Sequence, residues 1–414
     1  MEQASSRPDA SAQSRRAFHR RPLCLAAVGW LLGTAGIRLL APPHCYFAAA
    51  ALLLPGIAAA WLRRRGLVLL LCCMAAAIVS AGLRYPPGGD FPLTGSVLAP
   101  PETALGGRLL ILREQIAERI GQLFRENAGV ARGMLLGDKG GIAQSTLADF
   151  QNVGVMHLLA ISGLHVSVLA GALSLVLRRG AWTRFALVAL FLAVYAALTA
   201  FSPSVVRASV MLLCGMLAFP LRRRPDTPSA LSLAFILILL FNPHALFYAG
   251  FQLSFGAVYG LMLLTPAFER PLRRLGPAAS GLIAGSLAVT VATVPAMALT
   301  FGRVQLMSIV TNLFVLPLVP LFLVPAFLGV TLSFLWLPLG NAVAAVARVA
   351  LDVLVSFAAA GGALDVAVPA PSAPAYLLYL LALAFLSPLC LLERNRRFRL
   401  WVCCMGAAVA MWPM

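Results

Sequence analysis

Residues 305–330 read QLMSIVTNLFVLPLVPLFLVPAFLGV, a run without a charged side chain but with prolines at 317, 320 and 325. An α-helix needs roughly 20 apolar residues to cross the hydrocarbon layer of a bilayer, and this run is long enough. Each proline removes a backbone donor, and Pro295 does the same in the apolar run near 278–301. The sequence therefore predicts helices broken at membrane depth. Such breaks are tolerated only where protein or a water-filled cavity covers the freed backbone groups, which favours a pathway through a bundle over a passive anchor.

Similar runs extend in both directions, near 23–40, 45–62, 67–83, 156–177, 183–201, 204–220, 229–241, 245–264, 340–360, 376–392 and 400–413. The whole chain of 414 residues is 61% hydrophobic and 11% charged. Soluble domains carry about 25% charged residues. The fold class that follows is an all-α polytopic membrane protein of about 11–13 transmembrane or re-entrant helices, since nothing alternates as barrel strands do.

The net charge of +18 is mainly a topology signal. Basic residues cluster at Arg15–Arg21, Arg63–Arg65, Arg178–Arg184, Arg222–Arg224, Arg270–Arg274 and Arg394–Arg399. If these clusters are cytoplasmic, an even number of spans separates each from the next, as the positive-inside rule requires. Residues 1–22 then form a basic cytoplasmic tail, 23–83 a three-span group and 394–414 a basic loop with a short apolar helix. The first apolar stretch reads as a retained span rather than a cleaved signal. The eight cysteines lie in or beside apolar segments without C-x-x-C spacing, so they read as small buried hydrophobes.

Residues 84–130 form an extracytoplasmic segment. Its basic and acidic residues balance from Arg84 to Phe150, which excludes the footprint of a duplex-binding surface. Pro86–Gly89 reads as a loop, and 94–98 with 108–112 as the two strands of a short β hairpin. Leu109, Leu112, Ile116, Ile120 and Leu123 recur at helical spacing and predict an amphipathic helix on the outer leaflet or the bundle.

The most informative stretch is His157-Leu-Leu-Ala-Ile-Ser162-Gly163-Leu-His165-Val-Ser167-Val-Leu-Ala-Gly171. On a continuous helix Gly163, Ser167 and Gly171 form a small-residue ridge for close packing, while His157 and His165 project from the other side. Polar groups at membrane depth are costly and usually face a bundle interior or an aqueous cavity. The bland explanation is that each imidazole merely bonds a neighbouring carbonyl.

Gly137-Asp138-Lys139 followed by this stretch resembles the opening of the channel-forming domain of the ComEC competence family. Further matching segments follow in order: Phe201-Ser202-Pro203-Ser204-Val205-Val206-Arg207-Ala208, Asn242-Pro243, Gly250-Phe251-Gln252-Leu253-Ser254-Phe255, and Phe301-Gly302-Arg303-Val304 with Asn312. The resemblance implies a competence domain over 131–393 in the bacterial inner membrane, N-terminus cytoplasmic. It also implies a function, passing single-stranded DNA into the cytoplasm during natural transformation. A DNA receptor, a separate nuclease and a cytoplasmic motor or single-strand-binding proteins are the implied partners besides DNA and lipid, and a homodimer is compatible with the family.

Two departures accompany the resemblance. Only a reduced oligonucleotide-binding-like region fits in 84–130. No H-x-H-x-D-H cluster occurs, so the likeness is to a short member without a metallo-β-lactamase-like region, a transport protein rather than an enzyme, with no metal or cofactor expected.

The candidate DNA pathway comprises His157, Ser162, Gly163, His165, Arg207, Gln252, Ser254, Arg303 and Asn312. Arg207 is placed to hold a phosphate, against the alternative of snorkelling to headgroups. Gln252, Ser254 and Asn312 would line a polar path or serve as interhelical glue. Phe201, Phe251 and Phe255 would offer faces to bases or fill the core. Asp138 and Lys139 form a turn or a solvated ion pair, and Arg348 and Asp352, four apart, are expected to neutralise each other. Gly137, Asp138, Lys139, Ser167, Gly171, Ser202, Pro203, Asn242 and Pro243 are expected to be structural. The competing functions are a small-solute permease and an intramembrane Ser/His hydrolase using Ser162 with His165 or His157.

Overall fold

The computed structural model describes residues 22–36, 69, 72–77, 104–177, 180–301, 303–305, 307–361 and 367–369, with isolated positions between 372 and 407. Most of the three-span group, the loop at 86–89, the strand expected at 94–98, the basic clusters at 15–21, 63–65, 178–179 and 394–399, and the last two spans lie outside the described residues.

In chain order the helices are α1 (Pro22–Gly36), α2 (Ala104–Phe124), α3 (Ala128–Leu136), α4 (Gln144–Asn152), α5 (Gly163–Val176), α6 (Ala181–Leu198), α7 (Pro203–Ala218), α8 (Thr227–Phe241), α9 (Ala249–Leu272) and α10 (Pro277–Phe301). Strand β1 (Arg303–Gln305), α11 (Ser308–Ser333), α12 (Leu337–Gly361) and strand β2 (Ala367–Pro369) follow. Among the described residues α6, α9, α10, α11 and α12 are long and apolar enough to cross a membrane, and α1, α5, α7 and α8 are shorter apolar helices. The protein is an all-α polytopic membrane protein with one small ladder, in which β1 pairs antiparallel with β2, Val304 opposite Val368.

The chain divides into two compact units. In the smaller, α1 packs on α8. Asp226 caps α8 by accepting from the Ser229 amide at 3.1 Å and from the Ser229 hydroxyl. Ser232 donates to the Pro228 carbonyl at 2.8 Å and to Cys24 Sγ at 3.3 Å, tying α8 to α1. Asn242 ends α8 and accepts from the His244 amide at 3.1 Å, which starts the short 3₁₀ turn Pro243–Phe247. The Asn242-Pro243 pair is thus a helix stop and turn.

The larger unit holds the other helices. Its most extensive pairings are the antiparallel neighbours α9 with α10 and α11 with α12. Gly340 permits the second of these, because a Cβ there would sit 2.6 Å from the carbonyl oxygen of Gly329. The core gathers Ile120, Leu123, Phe124, Met134, Phe150, Leu158, Leu159, Leu192 and Phe322, with Phe124 edge-on to Phe322 at 5.8 Å.

Several expectations are corrected. Residues 108–112 are helical, part of α2, because the apolar spacing that runs to Leu123 already begins at Leu109. The C-terminal half of α2 packs into the core through Ile120, Leu123 and Phe124, whereas Leu110 and Ile111 are exposed. Helix α11 runs unbroken through Pro317, Pro320 and Pro325. The carbonyls of Leu313, Leu316 and Leu321, four residues before each proline, are those that lose an intrahelical donor. Arg348 and Asp352 do not pair: Asp352 accepts from Asn127 Nδ2 at 2.7 Å, and Arg348 bonds Asn341 Oδ1 at 2.5 Å. Asp352 thus bonds the 3₁₀ turn Arg125–Asn127 that follows α2, while Arg348 bonds Asn341 of its own helix and the Leu123 carbonyl of α2.

Candidate functional site

The entrance to α5 sets the geometry. Helix α3 ends at Gly137, which is left-handed (φ 74°) and returns its N–H to Gly133. Asp138 then accepts from the Gly140 amide at 3.0 Å, an Asx-type turn. Lys139 reaches solvent, yet the surrounding protein partly displaces water from its ammonium and lowers its pKa from the ordinary lysine value. Tyr195 on α6 donates to the Leu135 carbonyl at 3.2 Å and anchors this corner. Thr311 on α11 donates to the Val153 carbonyl at 3.1 Å and anchors the next turn.

The span expected over 156–177 is not one helix. Met156–Leu158 form a 3₁₀ turn, the chain then extends, and α5 starts only at Gly163. The cause is Ser162, extended at φ −108° and ψ 169°, which forms a capping box with His165. The Ser162 hydroxyl accepts the His165 amide, and the Ser162 amide donates to His165 Nδ1 at 3.3 Å. The same hydroxyl lies 2.8 Å from Nδ1. Because Nδ1 accepts the amide, the neutral imidazole carries its proton on Nε2. That Nε2 is buried without a partner.

His157 and His165 therefore do not share a helix face. His157 is exposed on the 3₁₀ turn and His165 is wholly buried, although the two rings are near enough to interact electrostatically. The small-residue ridge is also corrected. Gly163 faces Arg207 and Ala208 of α7, but Ser167 and Gly171 are exposed, and a Cβ on Gly171 would meet nothing within 4 Å. Of the three ridge residues only Gly163 is packed against α7.

Arg207 is the convergence point. Helix α7 begins with Ser202 at its N-cap and Pro203 at N1, after Ala200 and Phe201 in the left-handed region (φ 52° and 48°). Ser202 makes no side-chain cap, and its hydroxyl is buried without a partner. Arg207, one turn further, is 6% exposed. Its Nη1 donates to the backbone carbonyl of Ser254 on α9 at 2.6 Å, and its Nη2 lies 2.5 Å from where a Cβ of residue 163 would stand. Nε is buried and unpartnered. The snorkelling alternative is thereby corrected, because the guanidinium is enclosed by protein.

The structure thus brings together Gly163, Arg207 and Ser254, and separately Ser162 and His165. Ser254 takes part through its carbonyl, which a side-chain reading of the sequence does not find. Gln252 is half-buried on the same turn of α9. Phe251 and Phe255 stack on each other, centroids 4.3 Å apart, and both are buried, so their faces serve the core. Asn312 Oδ1 is buried without a partner on α11, and Arg303 lies in β1. Sequence reasoning missed Ser209, whose hydroxyl on α7 is buried and unpartnered, and Thr311; a lone hydroxyl in a span carries no pattern.

Residues 134–395, which carry these segments, match a family profile described as "Competence protein". The chain belongs to the competence protein family. The match encloses α5, α7, α9, α11 and α12. ComE operon protein 3 of Bacillus subtilis (strain 168) is 32% identical over 222 residues, covering 53% of this chain and 28% of that protein. Uncharacterized protein YcaI of Escherichia coli (strain K12) is 28% identical over 224 residues, covering 51% of this chain and 30% of its own. An uncharacterized protein of Aquifex aeolicus (strain VF5) is 32% identical over 171 residues, covering 41% and 39%. The chain therefore spans well under half the length of these relatives. No solved structure matches it. Family membership and the apolar helices together make this competence protein a multi-pass membrane protein.

Proposed function

We propose that this competence-family protein is an inner-membrane channel that passes single-stranded DNA into the cytoplasm during natural transformation. The family supports a role in competence. The observation that carries the reading is the polar interior of the larger unit. His165 Nε2, Arg207 Nε, Ser209 Oγ and Asn312 Oδ1, on three apolar helices, are buried with no protein partner. Each such group costs about 1–3 kcal/mol, more for a charge, so a helical anchor would have replaced them with hydrocarbon. A bundle that conducts a hydrated polyanion has a use for them.

The channel takes its strand from a DNA receptor on the outside and passes it to a motor or single-strand-binding proteins in the cytoplasm, with degradation of the other strand assigned to a separate nuclease. Deleting the gene in a transformable host should abolish transformants while DNA still binds the cell surface. Transformation at the parental frequency would refute the channel.

One observation favours a second reading. The 2.8 Å contact between Ser162 and His165 is the spacing of a nucleophile and its base in an intramembrane hydrolase. The capping box accounts for the same contact without chemistry, and it ties the serine hydroxyl to a backbone amide of its own helix.

A further inference from the structure

We propose that Arg207 and the first turn of α5 form a buried oxyanion site that holds one phosphodiester group of the strand in transit; the assignment of the strand rests on the channel reading above. A guanidinium has five N–H donors in a rigid fork. In Arg207 one nitrogen donates to the Ser254 carbonyl at 2.6 Å and Nε is buried with no partner. No carboxylate pairs with it among the described residues: Asp138 is spent on Gly140 and Asp352 on Asn127.

A second neighbour makes its position worse. Nη2 points at Gly163, the first residue of α5, where an added Cβ would lie 2.5 Å away. The first amides of a helix lack intrahelical acceptors and form the positive end of its dipole, and in α5 the Ser162 capping box occupies that of His165. A buried cation pressed against a positive helix end has a carbonyl for a partner but no counter-charge, and neither group relieves the other. An anion lying against both would accept from both at once, the arrangement by which helix N-termini and arginines bind oxyanions. Glycine at 163 leaves the amide uncovered for that approach. The Nε2–H of His165, two residues along the same turn, is a further buried donor without an acceptor. A phosphodiester carries the single negative charge that Arg207 lacks, and a strand supplies one per nucleotide.

The test uses the full chain purified in nanodiscs. Thermal unfolding is measured in inorganic phosphate and in chloride at equal ionic strength, together with binding of a labelled thymidine decamer. Wild type should be stabilised by phosphate, and phosphate should compete with the decamer. Arg207→Gln should lose the phosphate response and weaken decamer binding about ten- to hundredfold, the range for a lost charged hydrogen bond. Gly163→Ala keeps the charge but puts a methyl group where Arg207 Nη2 approaches, displacing the guanidinium from the amide, and should weaken binding about tenfold or more. Should Arg207→Gln fail to fold, the wild-type titration and Gly163→Ala decide. Absence of a phosphate response in wild type, or its persistence in Arg207→Gln, overturns the site. A response without decamer competition points to free phosphate or a lipid headgroup and overturns the strand as ligand. Lost transformation on deletion with no phosphate response sinks the site alone. Normal transformation with an Arg207-dependent response sinks the channel reading and, with it, the strand.

Discussion

Arg348 donates from Nη1 to the carbonyl oxygen of Leu123 at 2.9 Å, joining the middle of α12 to the last turn of α2. One turn along, Asp352 accepts from Asn127 at 2.7 Å. Two charges at i and i+4 on an apolar helix thus reach across to another element instead of to each other.

A double-mutant cycle distinguishes these arrangements. Arg348→Met with Asp352→Asn should show a coupling of less than about 0.5 kcal/mol, whereas Asn127→Ala with Asp352→Asn should couple by about 0.5–3 kcal/mol. Unfolding in mixed micelles measures both. A strong Arg348–Asp352 coupling would restore the ion pair.

Ser162→Ala removes one acceptor from the start of α5 and should destabilise the protein by about 1 kcal/mol, with Ser162→Asn recovering most of it. DNA uptake should survive both changes. A hydrolase would lose all activity in both variants, because neither retains a nucleophilic hydroxyl; uptake abolished by Ser162→Asn in folded protein would count against the capping role.

Gly340→Ala places a methyl group 2.6 Å from the Gly329 carbonyl, which cannot yield without moving α11. The expected loss is about 1–3 kcal/mol, typical of overpacking. A matched Gly171→Ala control should change stability little, since nothing lies within 4 Å of that position. Equal melting temperatures for the two variants would contradict the close crossing.

Single cysteines replacing Arg222, Arg223 or Arg224 should react with membrane-permeant but not with impermeant maleimides in intact cells, the outcome expected from the positive-inside rule for a basic cluster. Labelling by the impermeant reagent would invert the topology.

Run length and charge were enough to establish spanning helices, because the bilayer imposes both and neither depends on neighbours. The helical spacing up to Leu123 identified the later turns of α2 for the same reason, since periodicity is local, whereas 108–112 also fitted a short strand and only the structure decided for helix. The start of α5 at Gly163 was half legible, since a serine three residues before a histidine is not the usual capping pair and an unbroken apolar run conceals the stop. Packing alone decided the rest. Nothing in the one-dimensional string says that α11 stays whole through three prolines, that Ser254 offers its carbonyl, or that Arg207 comes to rest against Gly163. Those outcomes depend on which helix surfaces meet, and a side chain's partner at membrane depth is chosen by the only polar atoms that tertiary packing leaves within reach.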